Sequence, residues 1–408
     1  MQRREFLRAV PAATLLWPAQ LDALTARLRR AGAAGDYWEL VRSAFLIPDD
    51  RIYLNVGTLG VQPRVVVDAV IEHTRRVAMS YPPGVDWDTL KTQVATLLNG
   101  DPAGFVFPRN TTEGMNFVAQ GLELKQGDEV LTTNHEHIGG LCCWQLVAAR
   151  RGVTLRQLSI PPVPADAGEI VDVFRRSLSA RTRVISVSHV NFTNGLIMPV
   201  RALVDMARPR GIMVAVDGAH PPGMMPVDLR ALDADFYASS PHKWLLAPQG
   251  CGLLYLAEQW RSRLWPTLAS GGWDDLKLGA HRLNHMGTSD ESRLAGLLAA
   301  LRFHAAIGSG PAFARIRELR AMLRARLAEV PGVELITPAA DELSAGLLSF
   351  RTPKPALQLQ EALARAANIR TRVIGEYDYG WMRLSPHVYT RPAELATTVA
   401  AIAAALRG

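Results

Sequence analysis

The chain has 408 residues, 48% of them hydrophobic and 20% charged. It is too long for one small domain and too apolar to be disordered. Its formal charge is +7, but residues 1–30 hold Arg3, Arg4, Arg8, Arg27, Arg29 and Arg30 against Glu5 and Asp22. More than half of the excess therefore sits in that one segment, and nucleic acid is not an expected partner. Cys142, Cys143 and Cys251 are odd in number and two are neighbours, so a disulfide framework is excluded and buried structural thiols are expected.

Taken in chain order, residues 1–35 open with Arg3-Arg4-Glu5-Phe6-Leu7-Arg8 and an apolar run from Ala9 to Ala19. This resembles a twin-arginine export signal and predicts a periplasmic or exported protein. The competing reading is an amphipathic helix that stays on a cytoplasmic protein. No apolar run approaches the ~20 residues of a membrane-spanning helix. Residues 36–62 precede the regular part of the chain and are expected to pack with a smaller lobe. From about Asp101, short apolar runs alternate with helical patterns, which predicts βαβ units and a mainly parallel sheet. The strand candidates are Glu129–Thr133, Val153–Ser159, Arg183–Val190, Ile212–Asp217, Asp235–Ser239 and Gly252–Leu256. Helix candidates include Thr112–Gly121, Ile138–Arg151 and Arg201–Arg208. A helical region over 291–330, interrupted at 308–311, leads into short strands and helices. The expected division is a large α/β domain over 63–295 and a smaller α+β domain over 296–408.

Only five lysines occur, and Lys243 stands in a chemically rich stretch. Val214-Ala-Val-Asp217-Gly-Ala-His220 is followed by Asp235-Phe-Tyr-Ala-Ser-Ser240-Pro-His242-Lys243. Asp217 closes one buried strand and Lys243 follows the next. Ligands of open α/β sheets bind beyond the carboxyl ends of the strands. An amine and a carboxylate there suit pyridoxal phosphate: the amine condenses with its aldehyde, and the carboxylate keeps the pyridine nitrogen charged.

With these motifs in place, the chain resembles the class V aminotransferase family of fold type I pyridoxal-phosphate enzymes. It is nearest to the isopenicillin N epimerase-like and cysteine desulfurase-like branches. The resemblance implies that Lys243 is the Schiff-base lysine and Asp217 the pyridinium partner. It implies Ser240 and His242 as phosphate-side contacts, His220 at the ring hydroxyl, and His137 of Asn134-His-Glu-His137 stacked on the ring. Arg109-Asn-Thr111-Thr112-Glu-Gly resembles the phosphate-cradling turn, and a helix opening there would offer free N–H groups to an anion. Asn191 lies near a polar ring contact, although Asn191-Phe-Thr-Asn194 departs from the usual order. Gly287-Thr288 resembles the pair that reaches a neighbouring subunit's phosphate, which implies a homodimer. Arg383 matches the arginine that grips a substrate carboxylate, a task its two-pronged guanidinium suits. Asn55 stands in Tyr53-Leu-Asn55-Val-Gly57-Thr58, which resembles the family's N-terminal loop running near the substrate, although a plain glycine-rich turn explains it too. The expected catalytic set is Lys243, Asp217 and His137, acting on an amino acid or related amine, with no metal.

Epimerase, aminotransferase and lyase chemistry all remain open at this point. Desulfurases of this family use a nucleophilic cysteine before the carboxylate arginine, and none occurs between Asp341 and Arg383. Conventional desulfurase activity is therefore not expected. Ser240-Pro-His-Lys243 also spells S-x-x-K, the nucleophile motif of penicillin-binding proteins and serine β-lactamases, but no K-T-G or S-D-N accompanies it. A non-catalytic binding protein on the same fold is the third reading.

Overall fold

A computed structural model describes residues 16–31, 37–80, 84–284 and 287–407. Its centre is a seven-stranded sheet. The strands are β1 (Phe105–Val106), β2 (Glu129–Thr133), β3 (Thr154–Leu158), β4 (Thr182–Ser188), β5 (Met213–Asp217), β6 (Phe236–Ser239) and β7 (Leu253–Leu256). Their spatial order is β1-β7-β6-β5-β4-β2-β3. The run from β3 to β6 is parallel, and β7 lies antiparallel to both β6 and β1. All six expected strands occur, shifted by two residues at most, while the two-residue β1 carries no sequence signal of its own.

Side chains alternate across this sheet as the pleat requires. Val130, Val184, Ala215, Phe236 and Ala238 face a core shared with Met115, Phe117, Trp144 and Val147. These come from helices Thr111–Gly121 and Ile138–Arg151. Leu131, Ile185, Val187, Val214, Val216 and Tyr237 face the opposite core, with Val65, Val66, Leu203, Leu297 and Phe303. Alternation thus puts Asp217 on the same face as Ala215, just beyond the N-termini of those first two helices.

The helical region over 291–330 is broken at Gly308, where φ is 72°, into Ser292–Ala306 and Ser309–Ala328. Pro311 falls in the first turn of the second helix, where its missing N–H costs nothing. The first of these helices buries Leu294, Leu297, Ala300 and Phe303 in the main core. The second turns Leu319, Leu323 and Leu327 into a separate core with Leu348, Phe350, Leu359, Met382 and Leu384. The change of core therefore falls along the second helix rather than at residue 295. The smaller lobe carries a four-stranded antiparallel sheet, and residues Ile52–Tyr53 pair in parallel with Ile369–Arg370. Ile52 and Leu54 join the small-lobe core, whereas Val41, Phe45 and Val56 pack in the large one.

The paired arginines Arg3 and Arg4 lie outside the described residues. Leu16–Ala31 is a helix that buries Trp17, Leu21, Leu24 and Leu28 against the main core. That spacing is the face of a packed amphipathic helix. Among the described residues no helix is long and apolar enough to cross a membrane. Cys143 and Cys251 are buried as expected, whereas Cys142 is exposed.

Candidate active site

The loops after β2, β4, β5 and β6 converge on a cavity of about 380 Å³. Its wall includes Asn110, Thr111, Thr112, His137, Asp217, His220, Ser240, His242, Lys243 and Arg383. These residues come from five separate stretches of sequence and are thus brought to one place. A larger cavity of about 1020 Å³ lies beside helix Leu16–Ala31, but it gathers no comparable set of chemical groups.

At one end stands the N-terminus of helix Thr111–Gly121. The helix begins one residue before the expected Thr112, and its cap is Asn110, whose side chain accepts from the Glu113 N–H. This frees Thr111 to hold Ser240. The Thr111 N–H donates to Ser240 Oγ at 3.1 Å, and the two hydroxyl oxygens are 2.7 Å apart. First-turn N–H groups and hydroxyls aimed into a cavity form an anion site. His242 Nδ1 is buried there without a protein partner.

In the middle, Asp217 is 6% exposed, and its Oδ1 accepts from the Ala219 N–H at 2.9 Å. Burial raises its pKa, while the Lys243 charge opposes that rise. Lys243 is held down to about 8, mainly by burial. Its Nζ lies 3.2 Å from His220 Nε2. His137 caps helix Ile138–Arg151, with Nδ1 accepting from the Gly139 N–H at 3.0 Å. Its neutral ring therefore carries hydrogen on Nε2, and burial depresses its pKa to about 4. His135, the other histidine of the H-x-H pair, points elsewhere, towards Thr193 Oγ1 and the Ile160 carbonyl.

Gly140 is needed for close approach. A Cβ there would lie 2.8 Å from Asp217 Oδ2. Gly140→Ala is expected to push the carboxylate aside and weaken pyridoxal-phosphate binding by about tenfold, or ~1.4 kcal/mol. Equilibrium dialysis checks this, with an unchanged melting temperature excluding a general folding defect.

At the far end Arg383 is 2% exposed. Its Nη1 donates to the Phe192 carbonyl at 2.9 Å, and its Nη2 to Thr58 Oγ1 at 3.0 Å and Asn55 Oδ1 at 3.4 Å. All three acceptors are neutral, and Nε has no partner. Burial, helped by Arg372, lowers its pKa to about 9. A buried guanidinium without a carboxylate is half of an ion pair, and the missing half fits a ligand.

Not every expected residue joins the wall. Asn55 stands behind Thr58, holding it and Arg383. Asn191 is fully buried between the wall residues Val190 and Phe192, and neither its amide oxygen nor its nitrogen has a protein partner. Thr288 is exposed and lies outside this chain's own cavity. Ser240 and Lys243 sit in a turn, not on a helix, unlike the S-x-x-K arrangement of the serine enzymes.

Other residues gave no advance signal. Arg372 reaches the wall because it pairs in register with Arg383 across the small-lobe sheet. Trp244 holds the second nitrogen of His220. Glu136 is buried beside the site, accepting from Thr133 Oγ1 at 2.6 Å and Ser188 Oγ at 2.7 Å. Burial, with Asp217 nearby, raises its pKa to about 7. Tyr377 and Asp378 adopt φ of 59° and 58°, a costly conformation. The Tyr377 hydroxyl donates to the Glu136 carbonyl at 2.7 Å, tying that loop to the site.

The buried histidines set the acid limit of stability. His135, His137, His189, His242 and His304 are held near about 4 by burial, and His387 near about 3. The unfolded chain takes up protons on these rings from about pH 6.5 downwards, whereas the folded one does not. Stability is thus present above 6.5 and lost as the pH falls towards 4. Glu136 acts in the opposite sense, its contribution fading as the pH rises towards 7. Calorimetry is expected to show the melting temperature dropping by roughly 10 °C or more between pH 6.5 and 4. A flat profile there would contradict neutral buried rings.

The donor set fits pyridoxal phosphate. Thr111, Thr112, Ser240 and His242 suit the phosphate, Asp217 a ring nitrogen, His137 and Ala219 the ring faces, and Lys243 the aldehyde.

Comparison with known proteins agrees. The aminotransferase class-V family model matches residues 85–390. Isopenicillin N epimerase from Streptomyces clavuligerus is 34% identical over 381 residues, covering 88% of this chain and 96% of that protein. Isopenicillin N epimerase from Amycolatopsis lactamdurans is 33% identical over 383 residues, with the same two shares. Among solved structures, a C-DES mutant with glycine covalently linked to the PLP cofactor superposes with a TM-score of 0.80 at 27% identity, covering 89% of this chain and 98% of that one. The apo cysteine desulfurase of Thermococcus onnurineus NA1 gives 0.80 at 26%, covering 91% and 98%. With the family match spanning most of the chain and the cavity furnished for the cofactor, this protein belongs to the class V aminotransferase family and is a fold type I, pyridoxal-phosphate-dependent enzyme.

Proposed function

We propose that the enzyme is an epimerase, inverting the α-carbon of an amino acid or of a larger molecule ending in one. The observation that carries this is Arg383, a buried guanidinium that lines the same cavity as Lys243 and whose hydrogen bonds all go to neutral acceptors. Such an arrangement suits a ligand with a carboxylate and an amine on one carbon. The epimerase relatives, matched over nearly their whole length, favour inversion over the other outcomes.

Bound at Lys243, pyridoxal phosphate supplies an electron sink that acidifies the substrate's Cα–H bond. Arg383 fixes the carboxylate with its fork and so sets which bond faces the ring. Thr58 and Asn55 keep the guanidinium in place. Lys243 is the general base, and its pKa, lowered to about 8, leaves roughly a tenth of it as free amine at pH 7, far more than an ordinary lysine keeps. Asp217, a buried carboxylate, holds positive charge on the ring nitrogen. His137 is an unsuitable base, since its Nδ1 lone pair is already taken by the helix cap; it serves as a face for the ring. The absence of a cysteine between Asp341 and Arg383 argues against conventional desulfurase chemistry. Exposed Thr288 suits a homodimer in which it reaches the neighbouring subunit's cofactor.

The test is incubation of holoenzyme in D2O with a panel of L- and D-amino acids and isopenicillin N. Epimerisation gives α-deuterated product of inverted configuration with no keto acid or ammonia. Keto acid formation would make the enzyme a transaminase, and release of a β-substituent a lyase; either result sinks the reading.

A further inference from the structure

The two ring nitrogens of His220 meet different partners. Nδ1 lies 3.0 Å from Trp244 Nε1, and Nε2 lies 3.2 Å from Lys243 Nζ. An indole N–H can only donate, so Nδ1 must hold a lone pair. An imidazole with a bare Nδ1 is neutral and carries its hydrogen on Nε2. Nε2–H is then a donor, and the atom facing it must accept. An ammonium has no lone pair to offer; an uncharged amine has one.

We propose that Trp244 is a positioning residue whose indole N–H locks His220 in the Nε2–H tautomer, so that His220 accommodates Lys243 only as the free amine. The free amine is the form that attacks an aldehyde and accepts a proton. The consequence for Lys243 rests on the reading of that residue under Proposed function, whereas the tautomer does not.

The lock is rigidly mounted. Trp244 is wholly buried and follows Lys243 in the chain. Its ring lies 5.7 Å from that of His387, inclined at 38°, and its carbonyl accepts from His387 Nε2 at 3.0 Å. The indole therefore has little freedom to swing away. The charged and titratable groups acting on Lys243 are Asp217, Arg383 and Arg372. Those acting on His220 are Lys243, Arg383, His137 and His242. Arg383 and Arg372 favour an uncharged lysine, and Asp217 alone opposes it. Burial acts in the same direction as the tautomer, holding His220 well below its ordinary range.

A glutamine in place of His220 can keep the same polarity. Its amide oxygen can accept from the indole while its N–H donates to Lys243. A phenylalanine in place of Trp244 keeps an aromatic ring but removes the donor. These two substitutions separate hydrogen-bond direction from packing.

The experiment uses 15N-histidine-labelled full-length protein, both loaded with pyridoxal phosphate and stripped of it, with the His220 signals identified by their loss in His220→Gln. In the unsubstituted protein, nitrogen shifts are expected to show a bare Nδ1 and a protonated Nε2, unchanged between pH 6 and 9. In Trp244→Phe a second tautomer is expected to appear. On adding pyridoxal phosphate to stripped protein, the pH midpoint for the rise of visible absorbance should then move up by about one unit. That makes the rate below the midpoint about tenfold lower. His220→Gln with Trp244 intact is expected to keep the original midpoint.

Hydrogen on Nδ1 in the unsubstituted protein overturns the proposal. So does a Trp244→Phe protein with unchanged tautomer and midpoint, or a His220→Gln shift as large as that of Trp244→Phe. Should Trp244→Phe fail to fold, the spectrum of the unsubstituted protein decides alone. The D2O exchange experiment depends on none of these spectra, so the failure of either idea is visible without the other.

Discussion

Lys243→Ala protein is expected to lose the visible absorbance of bound cofactor and to trap no covalent adduct with borohydride. Turnover should fall by at least ~10⁴-fold, since both covalent attachment and the general base disappear. The remaining contacts should persist: Thr111, Thr112, Ser240 and His242 line the anion end of the cavity, and none of them depends on the lysine side chain. Equilibrium dialysis should therefore still find pyridoxal phosphate bound, more weakly and without the absorbance band of its lysine-linked form. The cavity left by the missing side chain lies against His220, whose Nε2–H then loses its acceptor. Added methylamine should restore part of the activity, because a free amine can occupy that space and take the proton. If the variant keeps both its colour and its turnover, the assignment of Lys243 is wrong.

The second large effect is expected at Arg383. Arg383→Lys keeps the positive charge but replaces a planar fork by a point charge. The guanidinium is anchored by the Phe192 carbonyl, Thr58 and Asn55, and an ammonium cannot hold those acceptors and a carboxylate together. Loss of one charge-assisted hydrogen bond, ~1.5–3 kcal/mol, predicts a KM increase of roughly 10–100-fold with a smaller fall in kcat. The visible spectrum of the resting enzyme should not change, since Arg383 lies at the opposite end from the phosphate site. A normal KM for carboxylate-bearing substrates, or an equal loss for amines that lack a carboxylate, would remove Arg383 from substrate recognition.

Asp217 and Lys243 were legible in the sequence for a local reason. Asp217 and Lys243 each follow a short apolar run, and a polar residue at such a place falls at the carboxyl end of a strand. The parallel register of β5 and β6 then brings the two strand ends together. Thr111 and Thr112 were readable because they open a helix whose start the sequence marks, and His137 because it matches the family's ring-stacking position. What was not legible depends on pairings distant in sequence. Arg372 enters the cavity only through its register with Arg383, and Thr58 only through the bridge between Asn55 and Ser385. Neither contact leaves a periodic trace. Trp244 carries no signal of its own in the sequence; it is wholly buried, and its polar edge matters only because His220 lies beside it. The helix Ser292–Ala306 shows a related limit. Its apolar residues mark it as buried, but nothing in their spacing says which of two cores receives them.

The pairing of Ile52–Tyr53 with Ile369–Arg370 has a consequence for how the enzyme is made. The contact between Arg383 and Asn55 spans 328 positions, and closing so long a loop is slow and entropically costly. The strands that carry Asp217 and lead into Lys243 pair with neighbours much nearer in sequence. During synthesis the cofactor-binding half can therefore take shape while the carboxylate grip waits for Arg383 to emerge. A chain stopped short of Arg383 would hold the reactive lysine in a cavity that lacks its means of choosing a substrate.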